Sequence, residues 1–171
     1  MNALFVLFLF LHVLSAIIAF GPTFAFPLIA AAGQRNPQHA AFAAEISLLL
    51  EDKLVIPFVI SMAVTGVLMI IVGPVDLFQP WLLIGIVVYL VAVAYSVMIQ
   101  TPASRQMAQL LAAVPAHSPG PGAVVADAAG GPPPGLAELG KKLQRGGIIL
   151  TVLLLAIIAL MVIGGETTFL H

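Results

Sequence analysis

His12 is the residue of this chain best placed to do chemistry. It lies inside Leu4 to Ala32, which reads LFVLFLFLHVLSAIIAFGPTFAFPLIAAA and carries no Asp, Glu, Lys or Arg. Ionisable groups inside an apolar span are by default functional candidates, and they face other helices rather than lipid. Counted from Leu4 at about 1.5 Å per residue, His12 sits about 12 Å into the membrane, at or somewhat above its middle. Ser15, Ala19 and Thr23 follow on nearly the same helix face, a stripe of small residues that should point at a neighbour.

Three kinds of chemistry suit such a group. A neutral histidine can hydrogen-bond across a helix bundle, with Ser61, Tyr89 or Thr151 as partners. It can be an axial haem ligand, since bundles hold haem between facing helices. The chain has no second histidine within its apolar runs, so Met62, Met69, Met98, Met161 or a second subunit would complete that ligation. It can also belong to a proton or ion path, although no carboxylate lies within the spans to continue one. His39 and His117 fall in connections without a second ligand at useful spacing, and His171 ends the tail. No phosphate-binding glycine loop, nucleophile elbow or paired metal motif appears, so no catalytic residue is identified and the sequence points away from an enzyme. Without cysteine, thiolate metal sites, disulfides and cysteine nucleophiles are excluded.

The elements that must position His12 follow from composition. The chain is 61% hydrophobic and 8% charged, with a mean hydropathy of +1.17. Soluble domains are about 25% charged, so this surface belongs in lipid. A net charge of -1 excludes the basic face that nucleic acid requires. Four runs are long enough to cross a bilayer: 4–32, 54–72, 81–99 and 148–163. The expected fold is all-α, a four-helix transmembrane bundle forming a single transmembrane domain over 1–171. Ala30-Ala31-Ala32 resembles a signal cleavage site, but Met1-Asn2-Ala3 lacks the positive start and the apolar run is too long. A retained helix is expected.

All six Lys and Arg residues fall in two connections: Arg35 and Lys53 in one, Arg105, Lys141, Lys142 and Arg145 in the other. Cytoplasmic loops carry that excess, so both termini should lie outside, on the periplasmic or extracellular face of a bacterial inner membrane. Gly33 to Pro37 reads as a turn-rich exit from the first span. Gln38 to Lys53, Ala103 to Val114 and Leu136 to Arg145 read as cytoplasmic helical extensions, the second either continuing the third span or lying along the surface. Glu45, Glu51 and Asp52, with Lys53 at the membrane edge, read as solvated residues with a local ion pair. Pro57 should bend the second span. Ser61 and Thr65, four apart, share a face that should pack closely on another helix. Pro115 to Gly135 reads as a flexible Pro/Gly-rich cytoplasmic linker.

The residues also carry a resemblance. Leu11-His12-Val13-Leu14 with Gly21, Asp52-Lys53 with Pro57 and Thr65-Gly66, Gln79-Pro80-Trp81 with Gly85 and Tyr89, Pro102 with Arg105 to Met107, and Leu160-Met161-Val162 look like an uncharacterised family of small bacterial predicted integral membrane proteins, known as a domain of unknown function. The Leu-His start of the first helix is also similar to the copper-resistance D family and to haem-binding membrane protoporphyrinogen oxidases. That second likeness implies a haem-binding role for His12. The expected function is a structural or accessory membrane subunit, embedded in the lipid bilayer and self-associating or packed in a larger membrane complex. A haem-binding redox protein using His12 is the alternative. A small-molecule transporter comes third, since the spans show no internal repeat and almost no polar lining.

Overall fold

Lipid offers no hydrogen-bond partners, so each apolar run must satisfy its backbone internally. The computed structural model describes residues 2–36, 39–73, 75–113 and 135–169, the side chains of the last five of these excepted. Four long helices account for most of them: α1 (Ala3–Arg35), α2 (Ala40–Val72), α3 (Pro80–Ala112) and α4 (Leu136–Phe169). No strand occurs among the described residues. All four helices are long and apolar enough to cross a membrane. The expected linker over 115–135 lies outside the described residues, apart from Gly135.

The first three helices have 33 residues each, and at about 1.5 Å per residue each spans about 50 Å. A hydrocarbon core is about 30 Å thick, which leaves about 20 Å of helix beyond it. The surplus lies at the end of the molecule that carries Arg35, Lys53, Arg105 and Lys141, here the basic end. The opposite, terminal end holds the start of α1 and the short α2–α3 connection. Asn2 caps α1 there by accepting from the Leu4 N–H at 3.1 Å, and Asp76 folds the connection by accepting from the Phe78 N–H at 2.9 Å. Gly135, at φ +104°, opens α4 with a left-handed residue that few side chains tolerate.

The turn-rich exit expected at Gly33 to Pro37 holds the end of α1, though not at the glycine. The helix continues through Gly33 to Arg35, with Asn36 as its cap. Gly33 is buried because α2 folds back against it: a Cβ there would stand 3.1 Å from the Ala43 Cβ and 3.3 Å from the Ala40 Cα. This glycine serves close helix approach. The extension after the third span continues it without a break to Ala112, which resolves the alternative left by the sequence. α4 runs straight through Gly146-Gly147, and a side chain at Gly146 would collide with Gln100 Oε1.

α1 lies antiparallel along α2, and α3 along α4. In the first hairpin the contacts Phe5–Gly73, His12–Gly66 and Gly33–Ala43 step in opposite directions along the two helices. Gly85–Met161, Gly146–Gln100 and Gly140–Met107 do the same in the second. The two hairpins meet mainly where the basic-end parts of α2 and α3 pack together, and the membrane halves of α2 and α3 do not approach closely. Few side chains are buried: Phe5, Ser15 and Ala19 of α1, Met62 and Thr65 of α2, Leu82 and Ala103 of α3, and Leu139, Leu154 and Ile157 of α4. Ile17, Leu28 and Ile71 are more than 60% exposed, so lipid rather than protein solvates most of the apolar surface.

Candidate functional site

His12 faces α2. Its Nδ1 lies 2.9 Å from the Met62 carbonyl oxygen and 3.3 Å from Thr65 Oγ1. A carbonyl only accepts, so Nδ1 must carry the proton. The Thr65 hydroxyl has its own acceptors, the Ser61 carbonyl at 2.8 Å and the Met62 carbonyl at 3.1 Å. Its lone pairs are therefore what it offers to the imidazole. Gly66 makes room for the ring: a Cβ there would stand 3.2 Å from His12 Cε1 and 3.4 Å from Nδ1. One turn nearer the basic end, the Ser15 and Ser61 hydroxyls bond at 3.0 Å, and Ala19 is fully buried beyond them.

The face containing His12, Ser15 and Ala19 thus packs on α2, and Ser61 and Thr65 share the face that receives it, as their spacing required. The partners of His12 differ from the three anticipated. Ser61 stands a turn too far along and pairs with Ser15. Tyr89 donates to the Val59 carbonyl at 2.8 Å, joining α3 to α2. Thr151 donates to the Gly147 carbonyl of its own helix at 2.8 Å. The nearer partner, a backbone carbonyl, leaves no mark in residue types; Thr65 and the glycine directly after it were the available signals.

A second polar layer lies towards the basic end. Each of α2 and α3 widens there into a π-helical segment, Glu51–Val55 and Ser96–Gln100, in which Ile56 and Thr101 donate to carbonyls five residues back. A proline follows each, Pro57 and Pro102, and the wide turn accommodates a residue without an N–H. The bend expected at Pro57 therefore takes the form of a π segment within a continuous helix. Thr101 donates a short hydrogen bond to Glu51 Oε1, and Arg105 pairs with Asp52 at 3.3 Å. Gln100 donates to the Leu143 carbonyl of α4 at 3.3 Å. The ion pair shown for Asp52 is thus across helices with Arg105 rather than local. Both partners of that pair are about half exposed, which holds its contribution below about 1 kcal/mol.

A family model described as "predicted integral membrane protein (DUF2269)" matches residues 6–164. The chain belongs to this family. The match takes in His12, both π segments and all four apolar helices, so the DUF2269 unit is the bundle itself. No curated protein and no solved structure matches the chain.

The remaining sequence candidates are dispersed in this DUF2269 fold. His39 is exposed at the start of α2, its N–H bonded to the Asn36 carbonyl at 2.8 Å. His117 and His171 lie outside the described residues. Among the described residues no three His, Cys, Asp or Glu side chains gather closely enough to hold a metal ion. Shallow grooves on the surface of the described residues include the following two. One is lined by Gln79, Trp81, Leu160 and Gly164 at the terminal end, the other by Glu45, Leu48, Arg105 and Gln109 at the basic end. Neither is lined by His12.

Proposed function

We propose that the protein is a structural or accessory subunit of a bacterial inner membrane, with both termini outside and the basic end in the cytoplasm. The observation that carries the reading is the attachment of His12. Its donor nitrogen is bonded to the Met62 carbonyl and its ring fills the slot left by Gly66, so the most reactive group in the membrane fastens α1 to α2. The basic end supports the orientation, because cytoplasmic segments carry the Lys and Arg excess. The exposed apolar helix faces fit embedding in the bilayer, and self-association or packing in a larger complex is part of the proposal.

Two experiments test this reading. His12→Ala should lower the unfolding midpoint of the purified protein, and an unchanged midpoint would remove the fastening role. A cysteine placed at Ala126 in this cysteine-free chain should resist an impermeant maleimide applied to intact cells; labelling there would reverse the orientation.

One observation favours a second reading, haem binding at His12. A histidine that donates Nδ1–H to a backbone carbonyl keeps its Nε2 lone pair available, the arrangement common among metal-bound histidines. Adding haemin to the detergent-purified chain decides it. A Soret shift that saturates at one haem per chain and is lost in His12→Ala supports the reading, and an absent or His12-independent shift ends it.

A further inference from the structure

We propose that the four helices share a flexible waist, from which the membrane halves of the two hairpins swing relative to each other. The waist is where helix-weakening features of all four helices coincide. α2 and α3 carry their π segments there, each followed by a proline. Each proline removes a backbone donor, and the wider turn replaces regular α-helical bonds, so the hydrogen-bond ladder is weakest at these points. On α1, Pro22 and Pro27 fall between the Ser15–Ser61 and Gly33–Ala43 contacts, the interval that also holds Glu51 to Pro57 on α2, and α1 touches that π segment directly. On α4, Gly146 lies against Gln100 and Tyr95, so Gly146-Gly147 meets the π segment of α3.

The contacts around this level define what moves. On its basic side α2 and α3 pack together, tied by Arg105–Asp52, with Thr101–Glu51 at the waist itself. On its membrane side the tie between α2 and α3 is Tyr89 to the Val59 carbonyl, close to the waist, and beyond it the two helices do not approach closely. Each hairpin keeps its own contacts along its full length, from Phe5–Gly73 and Trp81–Gly164 at the terminal end to Gly33–Ala43 and Gly140–Met107 at the basic end. The hairpins also touch slightly through α1 and α4, but their main junction is this block, and two stiff pairs joined chiefly at one end are the geometry of a hinge. From Ile56 to Val72 the lever is about 25 Å, so a turn of about 10° moves its tip by about 4 Å.

Double electron–electron resonance on the full chain in lipid nanodiscs tests the proposal. With no native cysteine, spin-label pairs need no background substitutions. Labels at Ile71 and Ile84 report between the hairpins, and labels at Leu7 and Ile71 report within one. The between-hairpin distribution should be the broader by several ångströms and should narrow in Pro57→Ala/Pro102→Ala, which restores two backbone donors. In Arg105→Gln it should broaden further. A between-hairpin distribution as narrow as the within-hairpin one in the unmodified chain overturns the proposal, whatever the variants do. Equal widths before and after proline replacement, with the within-hairpin distance intact, also overturn it.

Discussion

Gly66→Val offers the sharpest perturbation of the His12 attachment. A Cβ at position 66 stands 3.2 Å from His12 Cε1, and valine adds two methyl groups to a site with no slack. The imidazole must move by several tenths of an ångström, and its 2.9 Å bond to the Met62 carbonyl is the contact that gives way. An interhelical hydrogen bond in a membrane protein is worth about 0.6 kcal/mol and at most about 1.7 kcal/mol. Overpacking a close contact adds about 1–3 kcal/mol. Gly66→Val alone should therefore cost about 2–4 kcal/mol. In His12→Ala the ring is gone and the added methyls enter vacated space, so the same substitution should cost less than about 1 kcal/mol. A double-mutant cycle isolates the difference as a coupling of about 2 kcal/mol. Unfolding in mixed detergent and SDS micelles, followed by near-UV circular dichroism, provides the four free energies. Equal costs for Gly66→Val with and without His12 would refute the attachment.

Three further outcomes follow from contacts away from His12. Tyr89→Phe removes the bond to the Val59 carbonyl and should cost about 0.6–1.7 kcal/mol in the same unfolding assay. Gly33→Leu places a bulky chain against Ala40 and Ala43; it should destabilise by about 1–3 kcal/mol, and protease accessibility should rise between Arg35 and Ala40. Arg105→Gln breaks a half-exposed pair with Asp52 and should shift stability by less than about 1 kcal/mol, the shift shrinking further in high salt.

The spans were legible because lipid imposes a simple rule on every stretch of backbone, and composition alone satisfied it. The facing of Ser61 and Thr65 was legible from their four-residue spacing. What escaped was set by backbone geometry. The nearer partner of His12 is a carbonyl, which every residue possesses, and the search among polar side chains named Ser61, Tyr89 and Thr151 but passed over Thr65. Gly33 read only as part of an exit turn; in the bundle it and Gly146 admit a neighbouring helix at close range. The paired π segments show in the sequence only as Ile56-Pro57 and Thr101-Pro102. Only a local ion pair was legible around Lys53, because the fold that carries Arg105 to Asp52 joins residues far apart in the chain.

Whether His12 fastens the first hairpin or holds a cofactor is tested most directly by the absorption spectrum of the full chain purified from its membrane in mild detergent. Fastening requires no Soret band, together with a lowered unfolding midpoint in His12→Ala. A Soret band that disappears in His12→Ala would contradict it.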